Sequence, residues 1–126
     1  MSSPSHCRFS DSHEWFQIEG DIVTVGITQF AANELTDITY VEIQPVGTTI
    51  ESGESVGEVE SVKTSSDVTS VFSGEITEIN EQVSEDPSLL NSDPFGNGWL
   101  AKIRVSGSQN ENILMDQVTY DEKYSI

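Results

Sequence analysis

Few side chains in this sequence could do chemistry alone. There are two histidines, one cysteine and 5 basic residues against 22 acidic ones. The scarcity makes the position of each cation informative. Lys102 and Arg104 share a strand face, and Arg8 and Lys123 lie near the ends. Lys63 stands by itself in Gly57-Glu58-Val59-Glu60-Ser61-Val62-Lys63-Thr64-Ser65-Ser66-Asp67-Val68. Two β-prone runs flank it, which puts it at or near a hairpin tip. On spacing alone, an ordinary solubilising surface lysine is the commoner reading. The chemical reading is an attachment point for a cofactor carried on the lysine amine. Such a cofactor has to reach into an enzyme's active site, and a projecting turn gives it that access.

Other patterns lead nowhere. Gly53-Glu54-Ser55-Val56-Gly57 matches the G-x-S-x-G nucleophile pattern, which needs a strand, a sharp turn and a helix, with a histidine later in the chain. Here a β-prone run follows, and His6 and His13 both lie upstream. His6, Cys7 and His13 fit no zinc spacing and read as part of a disordered arm. Gly96-Asn97-Gly98 runs into Trp99-Leu100, so it is a turn and not a phosphate loop. The many carboxylates single out no acid/base pair.

The elements that must position Lys63 are mostly strands. Val23, Val25 and Ile27 alternate within Ile22 to Ile27, as do Thr39, Val41 and Ile43 within Ile38 to Ile43. Trp99, Ala101, Ile103 and Val105 alternate with Leu100, Lys102 and Arg104, and a period of two marks half-buried strands. Shorter β-prone runs cover 56–62, 68–72 and 75–79, separated by turn residues such as Glu19-Gly20-Asp21 and Ser73-Gly74. Helical signals are few. Thr28 caps a segment to Leu35 in which Ala31 and Leu35 share a face. Asp86-Pro87 opens a short helix through Leu90. Asn110 caps a last helix that aligns Leu114 with Val118.

The 126 residues carry a net charge of -17. One domain of this length can bury a core without metal or disulfide staples. The acidity argues against nucleic-acid binding and against a polybasic membrane anchor. A single cysteine excludes an internal disulfide and a four-cysteine zinc site. No run approaches a membrane span, and residues 1–10 lack the apolar core of a secretory signal. The expectation is a soluble, monomeric protein of the cytoplasm or a similar reducing compartment. It is one all-β domain over 1–126, a small sandwich or barrel with minor helices. Residues 1–8 are expected as a flexible arm and 120–126 as a loose tail.

Glu60-Ser61-Val62-Lys63, then Ser66-Asp67, then Ser73-Gly74-Glu75-Ile76, resembles the lipoylation segment of the glycine cleavage system H-protein family. The resemblance continues in His13-Glu14-Trp15, Val25-Gly26-Ile27-Thr28, Asn91-Ser92-Asp93-Pro94 and Gly98-Trp99, in the family's order over roughly residues 9 to 105. Biotinyl carriers, related in architecture, typically have methionine on both sides of the lysine. Val62 and Thr64 stand there, which favours lipoate.

The resemblance implies a lipoyl-domain-like flattened barrel or sandwich hybrid with lipoate in amide linkage on Lys63. Glu60, Ser61, Val62 and Asp67 would flank it for recognition by a lipoate ligase or lipoyltransferase. Glu14 would form a wall of a cleft for the arm. The implied partners are a pyridoxal-phosphate glycine decarboxylase that loads the arm with an aminomethyl group, a tetrahydrofolate-dependent aminomethyltransferase that unloads it, and a flavin dihydrolipoamide dehydrogenase that reoxidises it. The protein would be a shuttle and not itself an enzyme. Two departures stand out. Gln29-Phe30 replaces an acidic residue and a histidine that helps line the family's cleft, and Ser70-Val71-Phe72 replaces a common alanine-proline pair. Phe30 on its own reads as core packing. The alternatives are a relay that hands lipoate on to 2-oxoacid dehydrogenase complexes, and a non-lipoylated acidic interaction module.

Overall fold

A computed structural model describes residues 7–105 and 114–124. The elements run β1 (Arg8–Phe9), β2 (Glu14–Glu19), β3 (Ile22–Ile27), α1 (Gln29–Leu35), β4 (Ile38–Ile43), β5 (Thr49–Ile50), β6 (Ser55–Ser61), β7 (Ser65–Thr69), β8 (Gly74–Ile79), α2 (Glu81–Glu85), α3 (Leu89–Ser92), β9 (Ala101–Val105) and α4 (Gln117–Lys123). Six strands form one sheet in the order β1-β2-β3-β9-β8-β5, and β4-β6-β7 form a second. Every pairing is antiparallel. The fold is mostly β, as the alternation of apolar residues required, but the two sheets do not close into a barrel.

The main core lies between the sheets. Phe16, Val23, Val25, Ala101 and Ile103 meet Val41, Val56, Val59 and Val68 there, with Leu35, Val83 and Leu90 from the helices closing its ends. Side chains alternate along a strand, so Trp15 faces the other way from Phe16. It joins a second buried cluster with Cys7, Phe9 and Tyr120, against Phe95 and Trp99. Trp15 Nε1 donates to the Pro94 carbonyl at 2.9 Å. The larger sheet is thus covered on both faces at its β1–β2 end, while Glu75 of β8 and Arg104 of β9 stay exposed.

Several expectations require correction. Cys7 is buried and Arg8–Phe9 pairs with β2, so the arm expected over 1–8 is structured at its end; residues 1–6 lie outside the described ones. The loose tail expected from 120 begins inside α4, with Tyr120 wholly buried and stacked on Phe9 at 4.8 Å. This helix is capped by Asp116. The Asn110 cap falls outside the described residues, and Leu114 is not helical. A register shift between Ile38 and Tyr40 turns both Ile38 and Val41 to the core and leaves Thr39 exposed. One extra residue in a strand has this effect because the side-chain period is two. Asp86 closes α2 instead of opening a helix, and α3 begins two residues after Pro87. Leu100, placed on the outer face by alternation, is buried because it precedes β9 and its backbone N–H bonds to Val25.

Gly26 faces Trp15 across the β2–β3 ladder, and a Cβ there would lie 2.5 Å from the indole. Gly26→Ala must therefore push Trp15 off its Pro94 bond. It is expected to cost about 1–3 kcal/mol as an overpacked core position. Urea unfolding should show a lower midpoint with an unchanged slope; an unchanged midpoint would mean that the indole moves freely.

Candidate functional site

Lys63 lies exposed in the turn between β6 and β7. Ser61 organises that turn. Its Oγ accepts from the backbone N–H groups of Lys63 and Thr64, each at 3.2 Å, while its own N–H donates to the Thr64 carbonyl at 2.8 Å. Hydroxyl-to-backbone bonds of this kind are how serine fixes a tight turn. The Val62 N–H donates to the Asp37 carbonyl at 3.1 Å, tying the tip to the connection after α1. The Val62 side chain itself is 68% exposed. The Ser61 hydroxyl and these backbone bonds hold the turn, and the side chains of Val62 and Lys63 are left exposed.

The amine of Lys63 rests 3.4 Å from the Glu34 carbonyl oxygen, in the last turn of α1. Carbonyls there lack helical partners, and a cation beside them is favoured. Glu34 also lines a cleft of about 440 Å³ with Ser12, His13, Phe30, Ala31, Leu35 and Ser66. Through Glu34, Lys63 thus stands beside a recess lined by both apolar and polar residues. Phe30 is half-buried and does not serve the core. It lines this cleft, its ring 4.4 Å from that of His13 and 5.4 Å from that of Tyr124.

His13 belongs to no disordered arm. Its Nδ1 lies 2.9 Å from the Tyr120 hydroxyl, which is 2.7 Å from Thr28 Oγ1. Burial lowers the imidazole's pKa against the opposing pull of Glu14, Asp11 and Glu34. Burial likewise pushes the Tyr120 phenol up to about 12 and the Cys7 thiol up to about 11, so neither ionises near neutrality.

Glu14 is only 2% exposed and does not line the cleft; it stands behind the wall. Its carboxylate accepts from the Ser10 and Ser12 hydroxyls, each at 2.5 Å, and from the Thr69 N–H and hydroxyl at 3.2 and 3.3 Å. Glu60 lies in β6 opposite Tyr40 and Ser65, near the tip. Asp67 is held away from the cleft. With Glu42 and Glu58 it lines a different depression, where the three carboxylates stand opposite one another in register. The serine of the G-x-S-x-G pattern, Ser55, opens a strand after a turn at Gly53. Among the described residues no three histidine, cysteine or carboxylate side chains are grouped to hold a metal. The sequence gives no sign of Ser12, Glu34 or Tyr124 at this site, nor that Leu35 and Ser66 line one cleft, because these residues meet only through the fold.

Known proteins match this arrangement over nearly the whole chain. A family model described as Glycine cleavage H-protein matches residues 7–125. A glycine cleavage system H protein of Streptomyces coelicolor is 47% identical over 120 residues, covering 94% of this chain and 96% of its own. One from Bacteroides thetaiotaomicron is 43% identical over 120 residues, covering 95% of each. The crystal structure of a glycine cleavage system H protein from Mycobacterium marinum is similar with a TM-score of 0.88 at 35% identity, covering 98% of this chain and 100% of that one.

Ser61→Ala removes the acceptor for two turn N–H groups. Amide hydrogen exchange at Lys63 and Thr64 should quicken, while global stability changes by no more than about 1 kcal/mol, as for an exposed hydrogen bond. Ser61→Thr should restore slow exchange. Unchanged exchange in Ser61→Ala would show that the β6–β7 ladder alone orders the tip.

Proposed function

We propose, for a chain that belongs to the glycine cleavage H-protein family, that Lys63 carries lipoate in amide linkage and that the cleft beside it receives the arm. The chain is a carrier component of the glycine cleavage system. One observation carries the assignment of the residue: Lys63 is exposed at the tip of an ordered hairpin, beside a cleft that could take an arm attached there. Lys102 and Lys123 do not share this setting. Lys102 lies within β9 with its amine over the Trp99 ring, and Lys123 is paired with Asp11 at 3.0 Å.

The cleft's residues fit a lipoyl group. Phe30, Ala31 and Leu35 offer apolar surface to methylenes and a dithiolane, and Ser12, His13, Glu34 and Ser66 offer polar edges. An amide nitrogen retains one hydrogen, so the bond from Lys63 to the Glu34 carbonyl can persist after modification. The bound group would supply a disulfide that is reduced as it takes up an aminomethyl unit. This chain's residues hold the arm, limit water around it and present it to other enzymes. We infer that the chain performs no catalysis itself. Its partners are then the decarboxylase, the aminomethyltransferase, the dihydrolipoamide dehydrogenase and a lipoate-attaching enzyme. Glu60, Ser61 and Val62 are the surface that the attaching enzyme reads.

Lys63→Ala should abolish lipoylation in cells with an active attachment pathway. Stability should shift by no more than about 0.5 kcal/mol, because the site is an exposed turn. Intact mass and peptide mapping test this. Lipoate on Lys102 or Lys123, or an unmodified wild-type chain in such cells, would refute the assignment.

A further inference from the structure

Thr28 is wholly buried, so its hydroxyl hydrogen needs an acceptor inside the fold. Its Oγ1 has two partners among the described residues. One is the Ala31 N–H, which donates to it at 3.2 Å, and the other is the Tyr120 oxygen at 2.7 Å. An N–H accepts nothing, so Thr28 donates to Tyr120. Tyr120 has one hydrogen of its own, and the atom left to receive it is His13 Nδ1 at 2.9 Å. Counting hydrogens thus assigns the tautomer: Nδ1 accepts and neutral His13 carries its proton on Nε2. The opposite direction, with His13 donating to Tyr120 and Tyr120 to Thr28, would strand the Thr28 hydrogen in the interior.

Nε2 makes no hydrogen bond to any described residue, and His13 lines the cleft. Its ring is clamped by Phe30 and by Tyr124, whose centroids lie 4.4 and 4.5 Å away. The backbone at His13 is left-handed, with φ of 70°, a conformation that is uncommon outside glycine. The fold therefore fixes an imidazole at the cleft with one N–H that no described residue accepts.

Phe30 and Glu34 are one helical turn apart, about 6 Å along α1. The Lys63 amine sits at the Glu34 carbonyl and the His13 ring sits over Phe30. A lipoyl chain has seven bonds between the amine nitrogen and its first sulfur, roughly 9 Å when extended. An arm laid into the cleft from Lys63 is therefore long enough to bring its sulfur end to His13.

We propose that His13 is a positioning residue for the sulfur end of the arm: its Nε2–H, set as a donor through Thr28 and Tyr120, hydrogen-bonds to a sulfur of the reduced arm. The inference rests on lipoate being carried by Lys63. A donor there favours the thiolate over the thiol, since a charged acceptor strengthens the bond. Other groups act on the same position. Asp11, Glu14 and Glu34 are the carboxylates that bear on His13, while Tyr120 and Tyr124 face it from α4 and Lys123 is held by Asp11. The carboxylates oppose a thiolate, whereas an N–H donated by His13 favours it.

The test has two arms. In the unmodified full chain, nitrogen NMR of the imidazole should report the Nε2–H tautomer at neutral pH. Tyr120→Phe, which keeps the ring and removes the hydroxyl, should shift it toward Nδ1–H. In the lipoylated protein, with the arm reduced by a phosphine, the pH profile of iodoacetamide alkylation is read by mass at the Lys63 peptide. His13→Phe keeps an aromatic ring on Phe30 but has no donor, and should move the profile's midpoint up by roughly half a pH unit, the size of one modest hydrogen bond. His13→Gln, whose amide can donate, should recover part of the shift. An Nδ1–H tautomer in the wild type, or coincident profiles for wild type and His13→Phe, overturns the proposal. Finding no lipoate on Lys63 by mass overturns the carrier assignment and this proposal with it, and is distinct from coincident profiles on a loaded protein.

Discussion

A buried carboxylate that pairs with no cation among the described residues joins the two sheets. Glu14 opens β2 in the six-stranded sheet, and Thr69 closes β7 in the three-stranded one. Leaving an ionised carboxylate inside a fold is costly unless hydrogen bonds replace its water. Here four donors do so, two serine hydroxyls from the Ser10–Ser12 loop and both polar groups of Thr69. The same bonds fix Ser12 and its neighbour His13 relative to β7. The wall of the cleft and the strand that leads from Lys63 are thereby held in one frame.

Around that frame, each remaining part limits one freedom of the hairpin. Ser61 closes the turn, Val62 ties it to Asp37, and the end of α1 offers a carbonyl to the Lys63 amine. The helix α4 acts from the far end of the chain. It buries Tyr120 against Phe9, and Tyr120 in turn sets the imidazole of His13. An exposed lysine and a cleft close by are thereby held in one arrangement by the elements around them.

What could be read from the sequence follows from how local each feature is. Lys63 and its turn are specified by residues adjacent in the chain, so its exposure at a hairpin tip was legible from the flanking β-prone runs. The Thr28 cap was legible for the same reason, and its hydroxyl does accept from Ala31. The cleft was legible only through the family resemblance, which put position 30 in its lining; the residues' own pattern does not show it, because its walls come from residues 12–13, 30–31, 34–35 and 66. Phe30 looked like core packing since hydrophobicity alone cannot tell a cleft wall from an interior. Likewise the shift beside Ile38 breaks an alternation that appears regular in the sequence. The order at this end of the chain is not legible in the sequence, because α4 is polar apart from a few residues and is anchored by Tyr120, with Tyr124 beside it, in an aromatic cluster.

The coupling through Glu14 is tested most directly by amide hydrogen exchange in Glu14→Gln, which keeps the side chain's shape and removes its charge. The Thr69 amide should lose at least about tenfold in protection, the factor for one charge-assisted hydrogen bond. Strand β7 and the Lys63 turn should loosen with it, while β3, β8 and β9 stay protected. Protection at Thr69 that is unchanged, or that falls only in step with every other strand, would contradict the claim that Glu14 locks the carrier hairpin to the cleft wall.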